Sequence, residues 1–111
     1  PAGRYGRAAL QALGGWEAVR ERLALCASVA DAVALVARGE AALGIAYATD
    51  ARAEPRVRVA FAVPGSAHPR ILYPLALLRR AAGSAPARAA FARLIGQPAL
   101  ARYREAGFLV L

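Results

Sequence analysis

A chain of 111 residues with 59% apolar and 20% charged side chains suits one small globular unit and excludes a disordered segment. All 15 basic residues are arginine, giving a formal net charge of +8. They are scattered along the chain, with Arg79 and Arg80 as the tightest pair and no aromatic platform between them, so the charge reads as solvated surface and nucleic acid is not an expected partner.

In chain order, residues 5–13 are the first predicted helix, with Tyr5, Ala9 and Leu13 four apart, and Gly14 and Gly15 end it. Residues 16–23 make a second short helix and 23–27 a short strand. The spacing of Val29, Val33 and Val36 predicts a helix over 29–38, stopped by Gly39. Residues 43–47, apolar on both faces, read as a strand of the kind buried in parallel sheets. A turn or short helix follows in "ATDARAEP". The alternation "RVRVAFAV" predicts a half-buried strand over 56–63, and 64–70 is a loop. Residues 71–78 read as another strand, irregular at Pro74, and are far too short to span a bilayer, which takes roughly 18–20 residues. Helices over 85–95 and 98–106 follow, Gly107 stops the last, and "FLVL" closes the chain. Strand and helix alternate, which is the signature of an α/β fold. The chain opens at Pro1 in mid-motif and without methionine or a recognisable signal peptide, so an N-terminal portion is expected to precede it.

The chain is poorly equipped for catalysis. Cys26 is the single cysteine, in an apolar context where a thiol acts as a small hydrophobe. His68 is the single histidine and reads as a surface turn residue beside Pro69. Glu17 and Glu21 share a helix face but sit among arginines, and no carboxylate pair or metal-ligand cluster emerges.

The helix ends offer different chemistry. "SVAD" at residues 28–31 is the S-x-x-D form of a capping box. Ser28 Oγ would accept from the amide of Ala30 or Asp31, which leaves the Val29 amide unpaired at a positive helix end, an anion-binding group. Ala2, in Pro1-Ala2-Gly3, stands at a second helix start, where Gly3 would let a ligand approach the backbone. Tyr47 ends the apolar run 43–47, where a strand's carboxyl end meets ligands in open α/β sheets.

The segments "PAGRYGRAALQALGGWEAV", "SVADAVALVARGEAALGIAYATDA", "VRVAFAVPGSAHPRILYPLALL" and "YREAGFLVL" resemble, over the whole chain, the C-terminal half of the periplasmic molybdate-binding proteins of ABC transporters. The paired motifs "PAG.Y...AL" and "G.A..GI.Y..DA" carry the resemblance. It implies a type II periplasmic-binding-protein-like fold of two α/β lobes, with residues 1–47 completing part of the second lobe and 48–111 crossing and returning to the first. It implies a molybdate or tungstate oxoanion held by the amides of Ala2 and Val29 and the hydroxyl of Tyr47. These would bind the oxoanion's oxygens and not molybdenum directly; no cofactor and no reaction are implied. Further donors would come from serine-bearing segments of the missing N-terminal half. The implied partner is a membrane permease and the implied location periplasmic or lipid-anchored outside the cytoplasm. The sequence departs from the family at Ala30, where relatives often carry arginine. The alternative reading is a binding-protein-like sensor domain of a transcription regulator, which shares the fold.

Overall fold

Three helices end on the same device, and it sets their lengths. The structure is a computed structural model, and it describes residues 1–110. Helix α1 (Ala2–Ala12) stops where Gly14 turns to φ 74°, with Gly14 N–H donating to Gln11 O at 3.2 Å and Gly15 N–H to Leu10 O at 2.8 Å. Helix α2 (Trp16–Val19) passes into a 3₁₀ turn at Arg20–Arg22. Helix α3 (Val29–Ala37) repeats the stop of α1 at Gly39, with Gly39 N–H to Val36 O at 3.0 Å and Glu40 N–H to Leu35 O at 2.9 Å. Helix α4 (Ala48–Ala53) is short, and α5 (Ala85–Leu94) is capped by Ser84 Oγ, which accepts from Ala87 N–H. Helix α6 (Gln97–Glu105) ends at Gly107 through donation from Gly107 N–H to Arg104 O and from Phe108 N–H to Tyr103 O, both at 2.9 Å. This double bond pattern needs one residue at positive φ, which glycine adopts without steric cost.

Helix α1 starts three residues before the predicted position. Pro1 is its N-cap, and its carbonyl accepts from the amides of Arg4 and Tyr5. Ala2 and Gly3 add nothing to an apolar stripe, so periodicity alone does not reveal that first turn. The predicted helix over 16–23 divides because its second half tightens to a 3₁₀ turn.

The strands are the main correction. Among the described residues, none of the segments 23–27, 43–47, 56–63 and 71–78 is paired into a β ladder, and Leu111, the last residue of "FLVL", lies outside the described residues. The backbone is extended at Leu23, Tyr47, Glu54, Pro64 and Leu78. An alternating or apolar pattern fixes only which side chains seek burial. A ladder also needs a second strand roughly 4.8 Å away to pair the N–H and C=O groups. The exposure is consistent with that missing partner: Leu25 is 90% exposed, Leu43 77% and Phe61 66%.

The described chain forms two compact units, Pro1–Ile71 and Leu72–Leu111. In the second unit α5 packs on α6, and Phe108 meets Tyr73 and Tyr103 edge to face. In the first unit the buried residues are small: Ala2 and Ala9 on α1, with Gly6 between them, and Ala67 in the 3₁₀ turn Gly65–Ala67 that packs on α1. Ala2, Gly6 and Ala9 fall at i, i+4 and i+7, one face of the helix. Two glycines let the extended segment 43–47 run close to the helices. A Cβ on Gly6 would stand 3.0 Å from Ile45 Cγ2, and one on Gly44 would stand 3.0 Å from Val36 Cγ2 on α3.

Candidate functional site

The small face of α1 leaves room against the extended segment. Ala2, Tyr5, Gly6 and Ala9 from α1, Ile45, Ala46 and Tyr47 from the run before α4, and Val63, His68 and Ile71 from the following loop line an open pocket of about 70 Å³. Its walls are mostly apolar, and its polar side chains are the two phenols and the imidazole. No arginine or carboxylate is among the lining residues.

Ala2 and Tyr47, 45 positions apart in sequence, are thus brought to one pocket. Ala2 is the first residue of α1, so its N–H has no acceptor within the helix. Tyr47 is the N-cap of α4 at φ −78° and ψ 152°, and its carbonyl accepts from the amides of Asp50 and Ala51, both at 3.1 Å. That double acceptance anchors the backbone from which the phenol projects.

Val29 is not among the lining residues of this pocket. It is the first residue of α3, as expected from the capping signal. Ser28 Oγ accepts from the Asp31 amide at 3.1 Å, one of the two expected donors. The carboxylate of Asp31 does not reach back to the Ser28 amide as in a full capping box. It accepts instead from the Ser28 hydroxyl at 2.8 Å, because an aspartate is one methylene shorter than glutamate. Either arrangement leaves the Val29 N–H at the open helix end. Gly3, expected to allow a close approach, has nothing within 4 Å of the point where a Cβ would stand, and it is Gly6 that admits a neighbour.

Two features escaped sequence reasoning. His68, read as a surface turn residue, is half-buried and lines the pocket with Ala2 and Tyr47. Only its place in "GSAHPR", within a segment returning to the first helix, could have hinted at this. A second pocket, about 220 Å³, lies between α3 and α4 and is lined by Ala30, Val33, Ala34, Asp50, Ala53 and Glu54. Asp50 Oδ2 is buried with no hydrogen-bond partner among the described residues. Glu54 is bound by Arg56, whose side chain and backbone N–H both donate to it, and this holds its carboxyl down at about 2. In the same way Arg38 holds Glu40 below the usual carboxylate range.

A family model described as bacterial extracellular solute-binding protein matches residues 1–109. The molybdate-binding protein ModA of Escherichia coli (strain K12) is 37% identical to this chain over 110 residues, which are 99% of this chain and 42% of that protein. The protein of the same name from Haemophilus influenzae (strain ATCC 51907 / DSM 11121 / KW20 / Rd) is 39% identical over 79 residues, 71% of this chain and 31% of that protein. The chain therefore spans less than half the length of either relative.

Proposed function

Since the chain belongs to the bacterial extracellular solute-binding protein family, we propose that it is the second half of a two-lobed α/β binding protein that captures molybdate outside the cytoplasm and delivers it to an ABC-transporter permease. No reaction is catalysed. The observation that carries this reading is the 37% identity to a molybdate-binding protein across 99% of the chain. It gains support from the convergence of Ala2 and Tyr47, the two ends of the expected donor set, on one pocket.

In this proposal the amides of Ala2 and Val29 and the hydroxyl of Tyr47 donate to the oxygens of a tetrahedral dianion. Helix N-termini favour negative charge through their free N–H groups and aligned peptide dipoles, so no arginine has to touch the ligand. Tungstate, of the same charge and shape, satisfies the same donors. Residues 1–47 contribute to the second lobe and 48–111 cross to the first. The preceding half of the protein supplies the remaining donors and the strands that pair with the extended segments. Covering a side chain such as Leu25 or Leu43, now mostly exposed, contributes about 1.5–3 kcal/mol when complete.

The test is titration calorimetry of the full-length protein with sodium molybdate, alongside Tyr47→Phe. The variant keeps the ring and loses the donor, so affinity should fall by about 1.5–3 kcal/mol, roughly 10- to 150-fold. An unchanged affinity removes Tyr47 from the site, and a wild-type protein that ignores molybdate overturns the reading as a whole.

A further inference from the structure

We infer that His68 is a further ligand-facing residue of the pocket that holds Ala2 and Tyr47, donating to a dianionic oxoanion in its imidazolium form and strengthening binding as the pH falls. This rests on the proposed oxoanion site and adds to it a group of a different kind.

Three observations carry it. His68 lines the pocket together with Ala2 and Tyr47. Its ring orientation is held on two sides: Tyr5 meets it edge to face at 6.2 Å between centroids, and Nδ1 lies 2.8 Å from the Pro69 carbonyl oxygen. A carbonyl only accepts, so Nδ1 carries the proton in that bond. The neutral ring therefore has its lone pair on Nε2, the nitrogen left without a protein partner among the described residues. In neutral His68 that nitrogen can only accept, so it has no proton to donate to an oxoanion's oxygens. Protonated His68 carries N–H on the same nitrogen and makes a charge-assisted donor.

No other basic side chain among the described residues lines the pocket beside His68. Tyr5 of α1 and Tyr47 of the segment before α4 are the other polar side chains that line the pocket. Arg4 and Arg7 on α1 and Arg70 beside the loop are exposed and do not line the pocket, and Arg7 lies over the Trp16 ring at 4.7 Å. Among the described residues, no carboxylate lines it to hold the imidazolium in place of a ligand.

The experiment measures sodium molybdate affinity of the full-length protein at pH 6 and pH 8, at micromolar molybdate so that the anion stays a monomeric dianion. A charge-assisted bond of this kind should make binding about five- to tenfold tighter at pH 6. His68→Gln keeps a side chain of similar reach without a titration and should flatten that ratio. Because the variant could also disturb the loop, the His68 ring resonances of the wild-type protein are followed by NMR with and without molybdate. Linkage requires the ligand that prefers the protonated ring to move its titration midpoint up, here by about one pH unit. A wild-type ratio near one, a ratio that survives His68→Gln, or a midpoint indifferent to molybdate overturns the role of His68 while molybdate binding itself stands. A wild-type protein that fails to bind at both pH values overturns the oxoanion site beneath it.

Discussion

The close approach at Gly6 can be tested against a control in the same helix. Replacing Gly6 by alanine adds one methyl where Ile45 Cγ2 would stand at 3.0 Å and Ile45 Cδ1 at 3.3 Å. Ordinary carbon–carbon contact is about 3.5–4.0 Å, so Ile45 has to yield by several tenths of an ångström. Overpacking of this kind costs roughly 1–3 kcal/mol. Alanine in a helix interior returns about 0.5–1 kcal/mol relative to glycine. The net expectation is a loss of about 0.5–2 kcal/mol. Gly3→Ala is the control, because nothing lies within 4 Å of the new methyl, and only the helix preference remains. It should be neutral or stabilising by up to about 1 kcal/mol. Urea unfolding of both full-length variants reads the difference directly. Ile45 and Tyr47 both line the pocket. The displacement of Ile45 should therefore also weaken molybdate binding in Gly6→Ala and not in Gly3→Ala. A Gly6→Ala protein as stable as Gly3→Ala, with wild-type affinity, would refute the account of the pocket wall.

Ser28→Ala removes the side-chain acceptor of the Asp31 amide, and the loss of the cap should cost about 0.5–2 kcal/mol in the same unfolding assay, with no effect counting against the cap. Ala30→Arg puts a guanidinium at the rim of the pocket that Asp50 shares, where an ion pair with Oδ2, which has no partner among the described residues, should stabilise by up to about 1 kcal/mol; stability that falls would mean that the pocket cannot take the longer side chain. The carboxyl of Glu54 sits at about 2 in the folded protein, below its usual 4.5, chiefly because the Arg56 side chain donates to it. A lowered folded value means that this contribution is fully present above about pH 4.5 and is lost as the pH falls toward 2. The stability difference between the wild type and Glu54→Gln should shrink across that window, and a difference independent of pH would show that the Arg56 contact adds nothing.

Local rules made much of this protein legible in one dimension. Gly14, Gly39 and Gly107 mark helix ends because each stop depends on a single residue's access to positive φ and on carbonyls three to five residues back. Ser28 announces the start of α3 for the same reason, since its acceptor and the Asp31 amide lie three residues apart. The motifs around Ala2, Val29 and Tyr47 also sufficed to point to the solute-binding family, whose model matches residues 1–109. Other features depended on contacts between distant segments. The apolar runs at 43–47 and 56–63 carry the side-chain pattern of strands, yet a ladder belongs to two segments at once, and the pattern of one cannot supply the other's backbone groups. That Gly6 and not Gly3 admits a neighbour follows from where Ile45 passes α1, which no property of α1 specifies. His68 joins Tyr47 only because the 3₁₀ turn at Gly65–Ala67 packs on α1 and carries the next residue back to the pocket, 21 positions after the phenol. Bonds that close within about five residues are written in the local sequence, whereas packing between segments is selected by the shape and burial of surfaces that meet only when the chain has folded.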